Sequence, residues 1–178
     1  MSTVRGTLFH TAVAAPRGDQ LLPLAGLREL HPDLYERHLV KYRGREHRLA
    51  ERVLPLDCTW SEVVFLSPLD AAPLFAALRE AGRPAATPQQ WTLDAGLLDP
   101  ARCCVRLMRM TRGAQTADPG GPDDYLPLTT ATLRAVAEPT ARALDRLRTL
   151  TPAEPARPWG DVPHILHRGP IPLRYFDR

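Results

Sequence analysis

The chain has 178 residues, of which 44% are hydrophobic and 24% are charged. These values predict a single globular domain with its own core and exclude a disordered or fibrous chain. The formal net charge of +3 does not by itself indicate a nucleic-acid-binding protein. No apolar run approaches the roughly 20 residues of a membrane-spanning helix, and the N-terminus lacks a secretory signal pattern. We therefore expect no membrane partner and a cytoplasmic location.

The cysteines support the same expectation. Cys58, Cys103 and Cys104 are an odd number without the spacing of a zinc site, and neighbours in sequence rarely form a disulfide. They are typical of small buried thiols in a reducing compartment.

The first half of the chain begins with a predicted strand. Residues 3–14 alternate in the manner of a strand and carry the polar side chains of His10 and Thr11. A short helix over 23–30 and a stronger one over 32–43 follow. The second begins with a proline in its first turn, which helices tolerate well.

The segment 37–52 is the most basic part of the chain, with six basic residues against two acidic ones. One interpretation is a solvated helical face. The other is a surface that contacts phosphates through Arg43, Arg45 and Arg48, and that binds nucleic acid or an acidic partner.

A strand–turn–helix unit occupies the centre of the sequence. The apolar run Val63–Leu66 predicts a buried strand, and the following residues 70–81 predict a helix that ends at Gly82. Ser67 lies between them, where a nucleophile elbow would place its serine. The glycines of that motif are missing, and Pro68 has no N–H for an oxyanion hole, so we interpret Ser67 as a helix cap.

Residues 102–110 predict another strand. Its alternation directs Cys103 and Val105 to one face and Arg106 to the other, so we expect the Arg106 face to be less deeply buried. The following segment 112–124 is rich in Gly, Pro and Asp and predicts a mobile loop.

The last third of the chain predicts one long helix and a short sheet edge. The helix covers 130–147, and Pro139 should kink or split it. The C-terminal residues then predict one or two short strands that carry His164 and His167. Prolines confine these strands to sheet edges or bulges.

The histidines are candidates for chemistry, and ordinary hydrogen-bonded histidines are the alternative interpretation. If the first and last strands are neighbours, His10 could converge with the pair His164 and His167, and imidazole suits proton transfer near neutral pH. We therefore take His10 and His164 as candidate catalytic residues. On an extended backbone the spacing of the pair places its two rings on opposite faces, so the spacing predicts no metal chelate.

Two short segments carry a family resemblance. The opening LFHTAV and the later VVFLSPLDAAPLFAALREAG resemble the start of ADP-ribosyltransferase-like domains. The resemblance implies an NAD-type or phosphorylated-nucleotide pocket near His10, Thr11 and Ser67. Such domains usually also have a glutamate or further basic residues on a late strand. The late strand here offers the basic side chains His164, His167 and Arg168 and no glutamate.

The sequence thus predicts a single α/β (α+β) domain with a mixed or largely antiparallel sheet and about three helices. One functional hypothesis is a nucleotide- or NAD-handling transferase-like domain, with a pocket near His10 and substrate contacts from Thr11, Ser67, His167 and Arg168. Another is a nucleic-acid or acidic-partner binding module that uses segment 37–52. A third is an interaction domain without catalysis.

Overall fold

A computed structural model describes residues 3–110 and 120–178 of the chain. It confirms the predicted mixed α/β class, and every pair of strands in this part of the chain is antiparallel. The helices are α1 Leu24–Leu30, α2 Pro32–Leu39, α3 Ala72–Glu80, α4 Thr130–Ala135 and α5 Ala141–Arg148. The strands are β1 Thr7–Thr11, β2 Gln20–Leu21, β3 Arg52–Val53, β4 Cys58–Thr59, β5 Val63–Leu66, β6 Gln90–Asp94, β7 Cys103–Arg106, β8 Tyr125–Pro127, β9 His164–Arg168 and β10 Ile171–Pro172.

The largest sheet has four strands in the order β5-β9-β7-β8. The C-terminal strand β9 lies inside it, and Leu166 pairs with Phe65 on one side and with Cys104 on the other. The expectation that this strand lies at a sheet edge is wrong, because the prolines flank β9 and none lies within it. Strand β1 pairs with β6 in a separate two-stranded sheet. A single bridge between Phe9 and Ser67 joins β1 to the end of β5.

Alternation along the strands buries both faces of the four-stranded sheet. Val64, Val105 and Ile165 pack on one face in a cluster that also takes in Leu8 of β1. A second cluster packs on the opposite face of the sheet. It contains Trp60 together with the strand residues Val63, Cys104 and Leu166. Because each fully buried aliphatic side chain contributes roughly 1.5–3 kcal/mol, the two clusters hold this sheet in place.

The helices follow the sequence prediction, except that the predicted helix 32–43 ends at Leu39 and continues as the 3₁₀ turn Val40–Tyr42. Helix α3 ends as predicted, with Gly82 at a φ of 73° and the Arg83 N–H donating to the Leu78 carbonyl over 3.0 Å. The region 130–147 divides into α4 and α5 on either side of Pro139, which confirms the expected break. No helix within the described residues is long and apolar enough to cross a membrane.

The expectation that the Arg106 face of β7 is less buried is wrong. Arg106 is 2% exposed because Gly120 and the side chains of Asp124 and Tyr125 lie against its guanidinium. Its guanidinium lies 3.6 Å from the Asp124 carboxylate and 5.1 Å from the centre of the Tyr125 ring, which compensates the buried charge. Of the predicted loop 112–124, residues 112–119 lie outside the described residues, whereas Pro122–Asp124 form a 3₁₀ turn.

Candidate functional site

A cleft of about 590 Å³ opens beside β1 and β5 and is covered by residues of α1 and α2. This volume lies in the range of small-molecule binding sites. Much of the wall is aliphatic or aromatic, with Leu24, Leu27 and Phe65 among the lining residues. The basic and imidazole side chains in the lining are His10, Arg17, His31, His38, Lys41 and His164.

The cleft exists because β1 and β5 diverge after one pair of hydrogen bonds. Phe9 and Ser67 exchange backbone hydrogen bonds of 2.8 and 2.7 Å. The backbone groups of Thr11 and Phe65 point in the same direction as those of Phe9 and Ser67, since strand residues alternate their hydrogen bonds. No bridge joins Thr11 to Phe65, so both strands present main-chain N–H and C=O groups to the gap.

His10 lines the cleft from the β1 side. Its ring centroid lies 6.4 Å from that of Trp91 and 6.3 Å from that of Phe176, and its Nδ1 is buried without a hydrogen-bond partner of good geometry. Burial lowers the pKa of His10 to about 4; the Thr11 backbone opposes this shift, and the charges of Lys41 and His38 add to it. The imidazole is therefore neutral near pH 7.

His164 lines the cleft from β9. Its Nδ1 lies 2.7 Å from the Val162 carbonyl oxygen, so Nδ1 carries the proton and donates it, and Nε2 is left as an acceptor. The ring packs edge-on against Phe65 at a centroid distance of 6.1 Å. Burial lowers the pKa of His164, although the Val162 carbonyl opposes this shift, so this imidazole too is neutral at physiological pH.

The two histidines approach the cleft from opposite faces of the sheet. His10 shares a face with Leu8, which belongs to the cluster around Val64, whereas His164 shares a face with Leu166. The first and last of the long strands are not neighbours, because β5 lies between them. The structure nevertheless brings His10, Thr11, Ser67 and His164 to one cleft through the gap between β1 and β5.

The interpretation of Ser67 as the helix cap is wrong. Its Oγ donates to the Leu69 carbonyl over 2.7 Å and accepts from the Leu69 N–H over 3.2 Å, which forms a local turn. Helix α3 begins only at Ala72, and Asp70 Oδ1 accepts the Ala72 N–H over 2.6 Å. The Ser67 hydroxyl is thus held in a backbone turn, and no general base among the described residues forms a hydrogen bond with it.

The structure places His167 and Arg168 outside the cleft lining. His167 is buried on the face opposite His164, with Nδ1 3.1 Å from the Gly169 carbonyl oxygen. Arg168 donates to the Leu56 carbonyl over 3.1 Å. The extended backbone of β9 separates His164 from His167, and neither His167 nor Arg168 gains support as a substrate contact in this cleft.

The basic segment does not form one open cationic surface. Arg48 is only 5% exposed, with its guanidinium 5.2 Å from the Trp60 ring centre and 3.4 Å from the Glu51 carboxylate. Arg45 donates two hydrogen bonds to the Lys41 carbonyl. Arg43 is exposed. Polyanion binding by these residues therefore stays a prediction.

Sequence reasoning missed several polar residues of the cleft, among them Lys41, His38 and Gln90. Lys41 and His38 both line the cleft. Their spacing of three residues predicts that they share one helical face, but the prediction for this segment rested only on its count of basic residues and did not use the spacing. Gln90 lines it as well: its Oε1 accepts the Ala71 N–H over 2.8 Å, and its Nε2 is buried without a partner. Gln90 begins β6, and the sequence around it gave no clear strand pattern.

The cysteines and the other donor residues offer no second site of obvious reactivity. Burial raises the pKa of both Cys103 and Cys104 to about 12, so these thiols are poor nucleophiles. Within residues 3–110 and 120–178, no group of three or more His, Cys, Asp or Glu side chains could hold a metal ion.

Comparisons with known proteins give no relative that would indicate a function for the cleft. No family model matches the chain. Neither the curated proteins nor the solved structures give a match.

Proposed function

We propose that the cleft binds a phosphorylated nucleotide of the NAD type. The observation that carries this proposal is the composition of the lining: six basic or imidazole side chains line the cleft, and no carboxylate does so among the described residues. The charged members of this set are Arg17 and Lys41, and with no carboxylate in the described lining to oppose them they favour an anion over a cation. It suits a ligand with a negative group and an apolar or aromatic body.

The remaining lining matches the rest of such a ligand. Leu24, Leu27 and Phe65 supply apolar surface for a planar ring. The backbone groups of Thr11 and Phe65 face the gap between the diverging strands, where they can donate to and accept from the edge of a heterocycle. The resemblance of the HT and FLS segments to ADP-ribosyltransferase-like domains favours the same class of ligand.

Binding is better supported than transfer. Cleavage of a glycosidic bond develops positive charge on the sugar, and enzymes commonly stabilise that charge with a carboxylate. No carboxylate lines the cleft within the described part of the chain. His164, with Nε2 available as an acceptor, is the residue best equipped to take a proton, should a transferase reaction occur here.

A ligand-induced shift in melting temperature tests the proposal. A ligand that binds only the folded state stabilises it by about 2.7 kcal/mol at 100 times its Kd. We expect NAD, ADP-ribose or AMP to raise the melting temperature of the wild-type protein, and His10→Ala to reduce that rise. His47→Ala is the matched control, because His47 is exposed and lies outside the cleft lining.

Three outcomes separate the functional hypotheses. Nucleotide shifts that His10→Ala and His47→Ala reduce equally would place the ligand elsewhere and contradict the proposal. No shift with any nucleotide, together with salt-sensitive binding of duplex DNA that Arg43→Glu weakens, would favour the polyanion module. No response to any ligand would favour an interaction domain without catalysis.

A further inference from the structure

We propose that Lys41 and His38, at the end of α2 and in the 3₁₀ turn that follows it, form the phosphate subsite of the cleft. The inference rests on the proposed function and assigns the negative group of the ligand to one corner of the site. Lys41 lies in the 3₁₀ turn Val40–Tyr42 and is exposed, which places it at the mouth of the cleft. His38 lies in the last turn of α2.

The two strong cations of the lining differ in how far their charge is already compensated. Arg17 donates two hydrogen bonds of 2.8 Å to the two carboxylate oxygens of Asp33, which also accepts from Arg37, so Arg17 already has an anionic partner. Lys41 has no carboxylate oxygen within 4 Å among the described residues. Its charge is therefore the one in the lining most available to an incoming anion.

His38 prepares a second donor beside Lys41. The Lys41 Nζ lies 3.2 Å from His38 Nδ1, and an ammonium group can only donate, so Nδ1 accepts. In the neutral ring the proton is then on Nε2, which leaves an N–H donor next to the ammonium group. A phosphate has several acceptor oxygens and can take hydrogen bonds from both side chains.

The surrounding electrostatics agree with this assignment. Desolvation lowers the pKa of Lys41, and burial together with the charges of Lys41 and Arg37 lowers the pKa of His38. The charges of Lys41 and His38 also lower the pKa of His10, so these three groups act on one another across the cleft. A bound anion would favour the charged form of Lys41 and so oppose the effect of desolvation on its pKa.

Calorimetric titration of the whole chain with AMP, adenosine and inorganic pyrophosphate tests the subsite. We expect the wild-type protein to bind AMP at least about tenfold more tightly than adenosine, because a charge-assisted contact contributes about 1.5–3 kcal/mol. Lys41→Met should abolish this preference and the binding of pyrophosphate, and Lys41→Arg should restore part of both. Arg43→Met is the matched control, since it removes an exposed charge two residues away, outside the lining.

The outcomes distinguish the subsite from the proposed function. If AMP and adenosine bind equally and His10→Ala weakens both, the cleft binds a nucleoside and the subsite is wrong. If Arg43→Met lowers AMP affinity as much as Lys41→Met does, AMP is attracted by the overall positive charge of this region and not by Lys41 in particular. That result would also contradict the subsite proposal. If none of the three ligands binds, the subsite and the nucleotide proposal fail together.

Discussion

The buried imidazole of His10 should make the stability of the fold depend on pH. In the folded protein the pKa of His10 lies at about 4, chiefly because burial disfavours the charged ring, against 6.5 for an ordinary histidine. Between these two pH values the unfolded chain binds a proton that the folded chain does not. The free energy of unfolding therefore falls as the pH is lowered through 6.5, and the loss is complete below about pH 4.

The size of the pH effect on stability follows from the pKa shift of His10. One pKa unit corresponds to 1.36 kcal/mol, so a shift of about 2.5 units contributes about 3 kcal/mol in full and about 2 kcal/mol by pH 5. Replacement of His10 by Gln removes the titrating group and keeps a polar side chain. The substitution adds its own constant change in stability, and only the dependence on pH reports on the imidazole.

Urea unfolding of the wild-type protein and of His10→Gln between about pH 8 and pH 4 measures the effect. We expect the wild-type stability to fall by about 2 kcal/mol more than that of the variant by pH 5. His47→Gln, at an exposed position, should give a curve parallel to that of the wild type. Parallel curves for the wild type and His10→Gln would show that His10 is protonated freely in the folded state and would refute the reasoning.

Three further substitutions, the last with a matched control, test the structural framework by urea or thermal unfolding. Ser67→Ala should lose about 1 kcal/mol, because the hydroxyl both donates and accepts in its local turn, and no loss would contradict that turn. Asp161→Asn should lose about 3 kcal/mol, because it removes the carboxylate that pairs with Arg146 in a buried setting, and a loss below about 1 kcal/mol would show that the pair is solvated. Gly82→Ala should lose about 1–2 kcal/mol because of its φ of 73°, whereas Gly121→Ala, at a φ of −89° and with open space around it, should be close to neutral.

Part of the candidate site could be predicted from the sequence, because some of its residues lie in local motifs. The alternation around His10 and Thr11 predicted their strand, and the apolar run before Ser67 predicted the strand that ends there. His164 was predicted as a candidate on a late strand. The structure places these four residues at one cleft, although their catalytic and binding roles remain predictions.

Other parts of the site depend on long-range packing that the sequence does not display. Lys41 and His38 enter the lining because α2 covers the gap beside β1, and no local pattern shows which side of a short helix will face a cleft. Arg106 was predicted on a less deeply buried face, yet Gly120, Asp124 and Tyr125 cover its guanidinium. The residues in these contacts are far apart in the sequence, so local sequence patterns do not predict the contacts.

The sequence by itself determined the local elements: the strand Val63–Leu66, the end of α3 at Gly82 and the break at Pro139 all follow from the backbone preferences of a few adjacent residues. Only the tertiary structure decided that β9 inserts between β5 and β7 and that β1 touches β5 at a single bridge. The pairing of strands is set by which hydrophobic faces can be buried together across the whole chain. The cleft is the gap left where that pairing stops, so no residue specifies it locally.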